Sequence, residues 1–314
     1  MKSPRSESDA RFSRREIFAL TAAFAPWMSR ARAAEAVAPV RLAISETLVS
    51  DVNLNDARVA MAMWLKQMMV DLNVSIEIVP KVFEPTAEIV RRVRSAQVDA
   101  AAMNIIEYRQ LADVLDPRTF IGQAGPSGAE TYVVLVKRSS GMQHLGDLRA
   151  RRLARLTGPH MCLGPAWLAT VLDEAHLPPA EQFFGSITQD GKAARVVLPV
   201  FFGQADACLT TKHSFETLCE LNPQVGRDLA VIACSPEMVL LFYAFRKNYS
   251  GPARERFARV YTDMRASAAS QQVGMLFQFE HLETKDIVAL RPGLAVLEKA
   301  ERLRGKTPAA GGSL

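Results

Sequence analysis

From Val40 onward, short apolar runs of strand length alternate with amphipathic stretches of helix length. That rhythm constrains the fold more than any other feature, because strand–helix–strand connections of this spacing build parallel sheets covered by helices. Residues 40–45 read as a buried parallel strand. A helix follows over 55–72, with Val59, Met63, Met69 and Leu72 as its apolar positions and Asp56 near its start. Residues 75–79 alternate as a strand, Pro85 opens a helix to Arg94, residues 98–103 form a small apolar strand, and 105–115 return to helix. Loop signals at 122–128 precede a strong strand at 131–137, TYVVLVK.

A second unit repeats the pattern. It has a turn at 145–148, a strand at 152–156, a loop at 157–162 entering a helix at 163–175, and a helix at 193–202. Then come a strand at 205–209, a helix at 213–221 and a strand at 229–233, before 239–246 (VLLFYAFR) leads back to the first unit. Helices are expected at 252–272 and 284–287, and a disordered tail at 305–314. Crossings near 130 and 240 thus predict an α/β protein of two doubly wound lobes, 38–129 with 241–304 and 130–240, around a ligand cleft. Ligands in such sheets bind where strand ends meet helix starts, whose unpaired N–H groups and partial positive charge suit anions.

Residues 13–33 carry an export signature of the twin-arginine kind. Ser13-Arg14-Arg15-Glu16-Ile17-Phe18 leads into an apolar stretch at 17–28 and a small-x-small site, Ala31-Arg32-Ala33. The apolar part is about a dozen residues, short of the ~20 needed to span a bilayer. Pro26, Arg30 and Arg32 also argue against a membrane anchor, and no Cys follows the cleavage region for a lipid anchor. The expectation is a signal peptide over 1–34 and a periplasmic protein. Charge agrees with this. The formal +5 rests on 38 basic and 33 acidic residues, but the first 34 positions hold seven of the former and three of the latter. The remaining 31 and 30 nearly cancel, which removes the electrostatic footprint of a nucleic-acid partner.

No metal or cofactor is expected. The four cysteines, Cys162, Cys208, Cys219 and Cys234, form no CxxC pair, and free thiols are expected for most of them. The stretch 51–56 alternates oxygen-bearing side chains but lacks the Gly and distal Glu of a calcium loop. No nucleophile elbow, phosphate loop, HExxH or dinucleotide fingerprint occurs, so no enzyme is indicated.

Candidate ligand contacts follow from position. Ser45 and Glu46 end the first strand, and Asn104 and Tyr108 follow the third; each either faces a ligand, or caps and packs. Thr131 and Tyr132 mark the crossing. Thr210 and Thr211 offer hydroxyl donors or cap the next helix, and Lys192 either meets an anion or stays solvated. Gly158, His160, Met161 and Cys162 lie at a helix start. They bring backbone N–H groups and a soft-donor trio, with a thiol whose pKa a helix N-terminus lowers; the alternative for Met and Cys is core packing.

The chain resembles the phosphate/phosphite/phosphonate-type substrate-binding proteins of ABC importers, which have a type 2 periplasmic-binding-protein fold. The landmarks are Ser45-Glu46, Val98-Asp99-Ala100-Ala101-Ala102 followed by Glu107-Tyr108, and Leu145-Gly146-Asp147-Leu148. Phe184-Gly185-Ser186, Gly203-Gln204-Ala205-Asp206-Ala207 and Val231-Ile232-Ala233-Cys234-Ser235-Pro236 follow in order. The resemblance implies a small oxyanion held in the cleft, a hinge that closes on it, and recognition of the closed form by an ABC permease. One stretch departs from the pattern: where relatives that hold an oxyanion carry a Ser-Thr-Ser-Gly-like turn, this chain reads Thr157-Gly158-Pro159-His160-Met161-Cys162. Pro159 removes one donor there. Two alternatives stay open. One is a periplasmic sensor partnering a membrane histidine kinase, with a thiol-based soft-ligand site; the other is an exported enzyme using Cys162.

Overall fold

The computed structural model describes residues 39–49, 52–71, 73–78, 83–123, 129–251, 253–258, 262–263, 267–277, 279 and 281–306. The leader expected at 1–34 and residues 307–314 of the expected tail lie outside these. The strands are β1 (Val40–Ile44), β2 (Ile76–Ile78), β3 (Ala100–Asn104), β4 (Leu115–Gln123), β5 (Tyr132–Lys137), β6 (Arg152–Leu156), β7 (Ser186–Asp190), β8 (Ala207–Thr211), β9 (Leu229–Cys234), β10 (Leu241–Arg246), β11 (Thr262–Asp263) and β12 (His281–Asp286). The helices are α1 (Leu54–Asp71), α2 (Thr86–Arg94), α3 (Ile105–Arg109), α4 (Gly164–Glu174), α5 (Ala180–Phe183), α6 (Ala193–Phe201), α7 (Lys212–Leu221), α8 (Pro223–Asp228), α9 (Ala253–Ala258), α10 (Ala268–Phe277) and α11 (Arg291–Lys306).

Two mixed sheets result. The first has the order β11-β12-β4-β10-β3-β1-β2 and the second β7-β6-β8-β5-β9. In the first, β1 runs parallel to β2 and β3, and β10 inserts antiparallel between β3 and β4. In the second, β6 runs parallel to β7 and β8, with β5 antiparallel between β8 and β9. The first sheet therefore draws its strands from both sides of the second in sequence. The two connections meet at Glu130 and Met238, which exchange both backbone hydrogen bonds at 2.8 Å.

Local chemistry explains most elements. Tyr132 to Val136 are all buried, as a strand covered on both faces requires. Helix α2 buries Ile89 and Val93, four apart, and pairs Glu88 with Arg91 and Arg92 at 2.6 Å on its outer face.

Five expectations need correction. Helix α1 buries Ala57, Ala60, Met61, Leu65 and Met68, whereas Val59 and Met63 are 62% and 52% exposed; two alanines let the backbone lie close to the sheet and rotate the buried stripe toward themselves. Helix α3 stops at Arg109, and Leu115–Gln123 is strand despite Pro117 and Gly122, because β10 and β12 pair with it on both sides. The helix expected at 252–272 is broken by β11. The one expected at 284–287 is largely β12, whose register runs from His281 opposite Gln123 to Asp286 opposite Arg118. Residues 305–306 of the expected tail close helix α11, which the periodicity reading passed over.

One buried cluster joins α2, α3 and one face of the first sheet to the second sheet, α4 and α11; another lies between the opposite face of the first sheet and α1, α9 and α10. Helix α11 touches both halves of the larger cluster. Arg109 meets Glu298 at 3.3 Å and Glu301 at 3.0 Å, and Lys299 meets Glu174 at 2.6 Å. Gly293 permits that close approach, since a Cβ there would lie 2.6 Å from Ile105 Cδ1. All four cysteines are free thiols. Among the described residues, no helix is long and apolar enough to cross a membrane.

Candidate functional site: a polar cavity at three helix starts

The parallel strands β6, β7 and β8 end side by side at Leu156, Asp190 and Thr211. The chain leaves β6 into the 3-10 turn Pro159–Met161 ahead of α4, leaves β7 through Gly191 and Lys192 into α6, and leaves β8 directly into α7. A polar cavity of about 60 Å³ sits where these segments converge, lined by Thr157, Gly158, His160, Met161, Gly191, Ala193, Thr211 and Ser214 among others. Helix starts leave backbone N–H groups unpaired within the helix, so this end of the sheet favours negative charge.

Local chemistry fixes the walls. Gly158 adopts φ +126°, a conformation that costs a side-chain-bearing residue dearly, and so turns the chain from β6 into Pro159. Thr211 caps α7: its Oγ1 accepts from Ser214 N at 3.1 Å and lies 2.9 Å from Ser214 Oγ. Asp190 Oδ1 accepts from Lys192 N at 2.8 Å, which shapes the turn into α6. His160 Nδ1 lies 3.0 Å from Glu130 Oε1, tying the cavity wall to the connection between the sheets.

The matching end of the first sheet is different. There Glu107, nearly fully buried, accepts from Ser45 Oγ at 2.5 Å, Thr86 Oγ1 at 2.5 Å, Thr47 Oγ1 at 3.2 Å and Asn104 N at 2.9 Å. Asn104 returns the favour by accepting from Ile106 N and Glu107 N, a capping box at the start of α3. The carboxylate that this helix start and these hydroxyls hold is the protein's own.

The candidate residues therefore separate into groups. Gly158, His160, Met161 and Thr211 line the polar cavity, and Lys192 lies between two lining residues with its side chain exposed. Thr131 offers its carbonyl to Lys212 N at 2.7 Å at the start of α7. Ser45 and Asn104 belong to the Glu107 network, while Glu46 is exposed and donates its N–H to Glu84 O at 2.9 Å. Tyr108, Tyr132 and Thr210 are buried beneath these ends. Tyr132 packs against Trp167 and its hydroxyl accepts from Leu163 N at 3.2 Å; burial holds its phenol well above the ordinary range. Tyr108 stands edge-on to Phe242 with its phenol raised by burial.

The thiol expectation reverses. Burial pushes Cys162 up to about 12, outweighing the helix start that was expected to lower it. Among the described residues, no group of three or more His, Cys, Asp or Glu could hold a metal ion. Residue-by-residue reading passed over Glu107, Thr86, Glu130 and Ser214. The pattern Asn104-x-x-Glu107 is a capping-box signal and could have flagged the first of these; Glu130 carries no local signal.

Comparison with known proteins identifies the family and the fold. The family described as "ABC transporter, phosphonate, periplasmic substrate-binding protein" matches residues 47–286. No curated protein matches the chain. Among solved structures it is similar to the binding component PA3383 of an ABC phosphonate transporter from Pseudomonas aeruginosa, at 17% identity over 88% of this chain and 91% of that one, with a TM-score of 0.54. XAC2383 from Xanthomonas citri bound to ATP is similar at 14% identity over 86% and 99%, with a TM-score of 0.56. PhnD1 from Prochlorococcus marinus in complex with methylphosphonate is similar at 14% over 84% and 98%, with a TM-score of 0.53. These likenesses give the type 2 periplasmic-binding-protein fold. The sensor-kinase and thiol-enzyme alternatives gain no support from the family or from the buried thiol. On the stretch matched and the fold that carries it, the chain belongs to the phosphonate-type periplasmic substrate-binding proteins of ABC transporters.

Proposed function

We propose that this chain captures a small phosphonate-like oxyanion in the polar cavity at the ends of β6, β7 and β8 and delivers it to an ABC permease, without catalysing a reaction. The observation that carries this reading is the convergence of three helix starts with Thr211, Ser214 and His160 on one cavity. The N–H groups at the starts of α6 and α7 stand in for the hydroxyl trio that Thr157-Gly158-Pro159 lacks, since those of Met161, Cys162 and Leu163 already donate to Gly158 O, Pro159 O and the Tyr132 hydroxyl. Residues 38–129 with 241–304 and residues 130–240 act as two lobes, hinged where Glu130 pairs with Met238. Ser45, Glu46, Asn104 and Tyr108 shape the opposing wall, and Lys192 contributes long-range attraction. The twin-arginine leader at 1–34 directs export to the periplasm.

Isothermal titration of the mature protein with methylphosphonate, phosphite and methanesulfonate tests this. At least one anion is expected to bind, and Ser214→Ala is expected to weaken it roughly tenfold, the equivalent of one charge-assisted hydrogen bond, because the Thr211 hydroxyl already donates to Ser214 Oγ. A ligand present at a hundred times its Kd raises stability by about 2.7 kcal/mol, so a thermal shift must accompany binding. Binding that Ser214→Ala leaves untouched would move the site elsewhere.

A further inference from the structure

A second cavity of about 110 Å³ lies in the cluster between the first sheet and α1. Its walls are almost wholly aliphatic and aromatic; Ile44, Leu48, Met61, Leu65 and Phe245 are among them. Protein interiors are packed to crystal density, and voids larger than a water are few. An apolar void stays dry and takes small apolar guests; one of about 150 Å³ holds benzene. His160 joins this wall and also lines the polar cavity of the second sheet, and Tyr243, with its hydroxyl, lines the apolar cavity as well. The turn Pro159–Met161 packs against the turn Glu46–Val49, which brings Leu48 to the apolar side of the same junction. Trp64 lines the apolar cavity too, and among the described residues its buried indole N–H has no hydrogen-bond partner.

We propose that the ligand is an amphiphile: an anion that carries a short alkyl or aryl group, its charged end in the polar cavity and its apolar end in the cavity beneath α1, with His160 as the shared wall. This rests on the reading above that the polar cavity holds the anion. The volume sets the size of the apolar group at a few carbons, smaller than benzene's cavity and larger than one methyl. A single acceptor oxygen in that group would satisfy the indole N–H of Trp64.

Isothermal titration with the n-alkylphosphonates from methyl to hexyl separates the two readings. Each added methylene is expected to tighten binding about fourfold until the cavity is full, after which affinity falls. Methylphosphonate binding with affinity that stays flat or declines from the first added carbon overturns the amphiphile and leaves the oxyanion reading standing. Binding of none of the series overturns the amphiphile, and the oxyanion reading falls with it if phosphite and methanesulfonate also fail to bind. Ala102→Leu, which fills the apolar cavity from β3, is expected to erase the chain-length gradient; Ala100→Val serves the same purpose if melting shows that the first variant is unfolded. A gradient that survives in the folded filling variant also overturns the proposal.

Discussion

In the first sheet, Asp99 accepts the backbone N–H of Arg41 at 3.1 Å and its guanidinium at 2.9 and 2.7 Å. In the second, Asp206 accepts the backbone N–H of Arg152 at 2.8 Å and its guanidinium at 3.0 and 3.1 Å. Each Asp directly precedes a strand, and each Arg stands one residue before the same register point of the parallel neighbour, Leu42 opposite Ala100 and Leu153 opposite Ala207. The amino ends of the two sheets are therefore built alike. Their carboxyl ends are not: the first closes on the internal carboxylate of Glu107, and the second opens on a polar cavity. A helix start favours negative charge in both cases, and in the first the chain's own carboxylate meets it.

The largest expected effect comes from breaking that contrast at Glu107. Glu107→Ala strips an acceptor from Ser45, Thr47, Thr86 and the Asn104 N–H, and urea unfolding should register a loss of roughly 3 kcal/mol or more. Formate, a carboxylate small enough to enter the vacated space, should restore part of it. A loss under about 1 kcal/mol would show that the network does not hold this end together.

The amino ends give a smaller, graded test. Asp99→Asn should cost about 2 kcal/mol at pH 7 and Asp206→Asn about 1 kcal/mol, because the Asp206 and Arg152 side chains are more exposed, at 22% and 52% against 8% and 36%. Desolvation of Asp99 is outweighed by its hydrogen bonds from Arg41, so its carboxyl lies below the ordinary range; Arg152 lowers that of Asp206. A depressed native pKa means stability that is present above the unfolded value of about 3.9 and lost as pH falls through the native one. The gap between wild type and Asp99→Asn should accordingly close in acid. Equal effects at the two aspartates across the pH range would dissolve the ranking.

The smallest effect concerns the thiols. At pH 8, iodoacetamide should label exposed Cys234 first, with Cys162 and Cys208 left unmodified in the native state because burial raises both thiols. Early labelling of Cys162, read by mass spectrometry of peptides, would show that its surroundings open.

Much of this was legible from residue patterns. The alternation after Val40 gave the parallel strands β1, β3 and β8, whose apolar runs are almost wholly buried. Two of them were expected to begin at 98 and 205, and each begins two residues later, at Ala100 and Ala207, directly after an Asp. The pattern was silent where partners decide conformation. Strand β4 carries Pro117 and Gly122 and is a strand because it has neighbours on both sides; β7 is polar because it borders the second sheet at an edge. In α1, the closeness of Ala57 and Ala60 to the sheet outweighs the larger Val59 and Met63. At the site, Thr211 and His160 were reachable from their position after a strand. Glu130 was not, because its meeting with His160 spans 30 residues and depends on two sheets folding against each other.

Helix α11 carries a lesson for handling the protein. It is anchored to α3 through Arg109 and to α4 through Lys299, with Gly293 seated against Ile105. Besides the paired connections at Glu130 and Met238, this rod braces both walls like a strut, and relative travel of the two sheets would load it. Shortening the chain before Arg291 would remove the brace, so affinity handles or reporter fusions belong beyond its last turn and not in place of it.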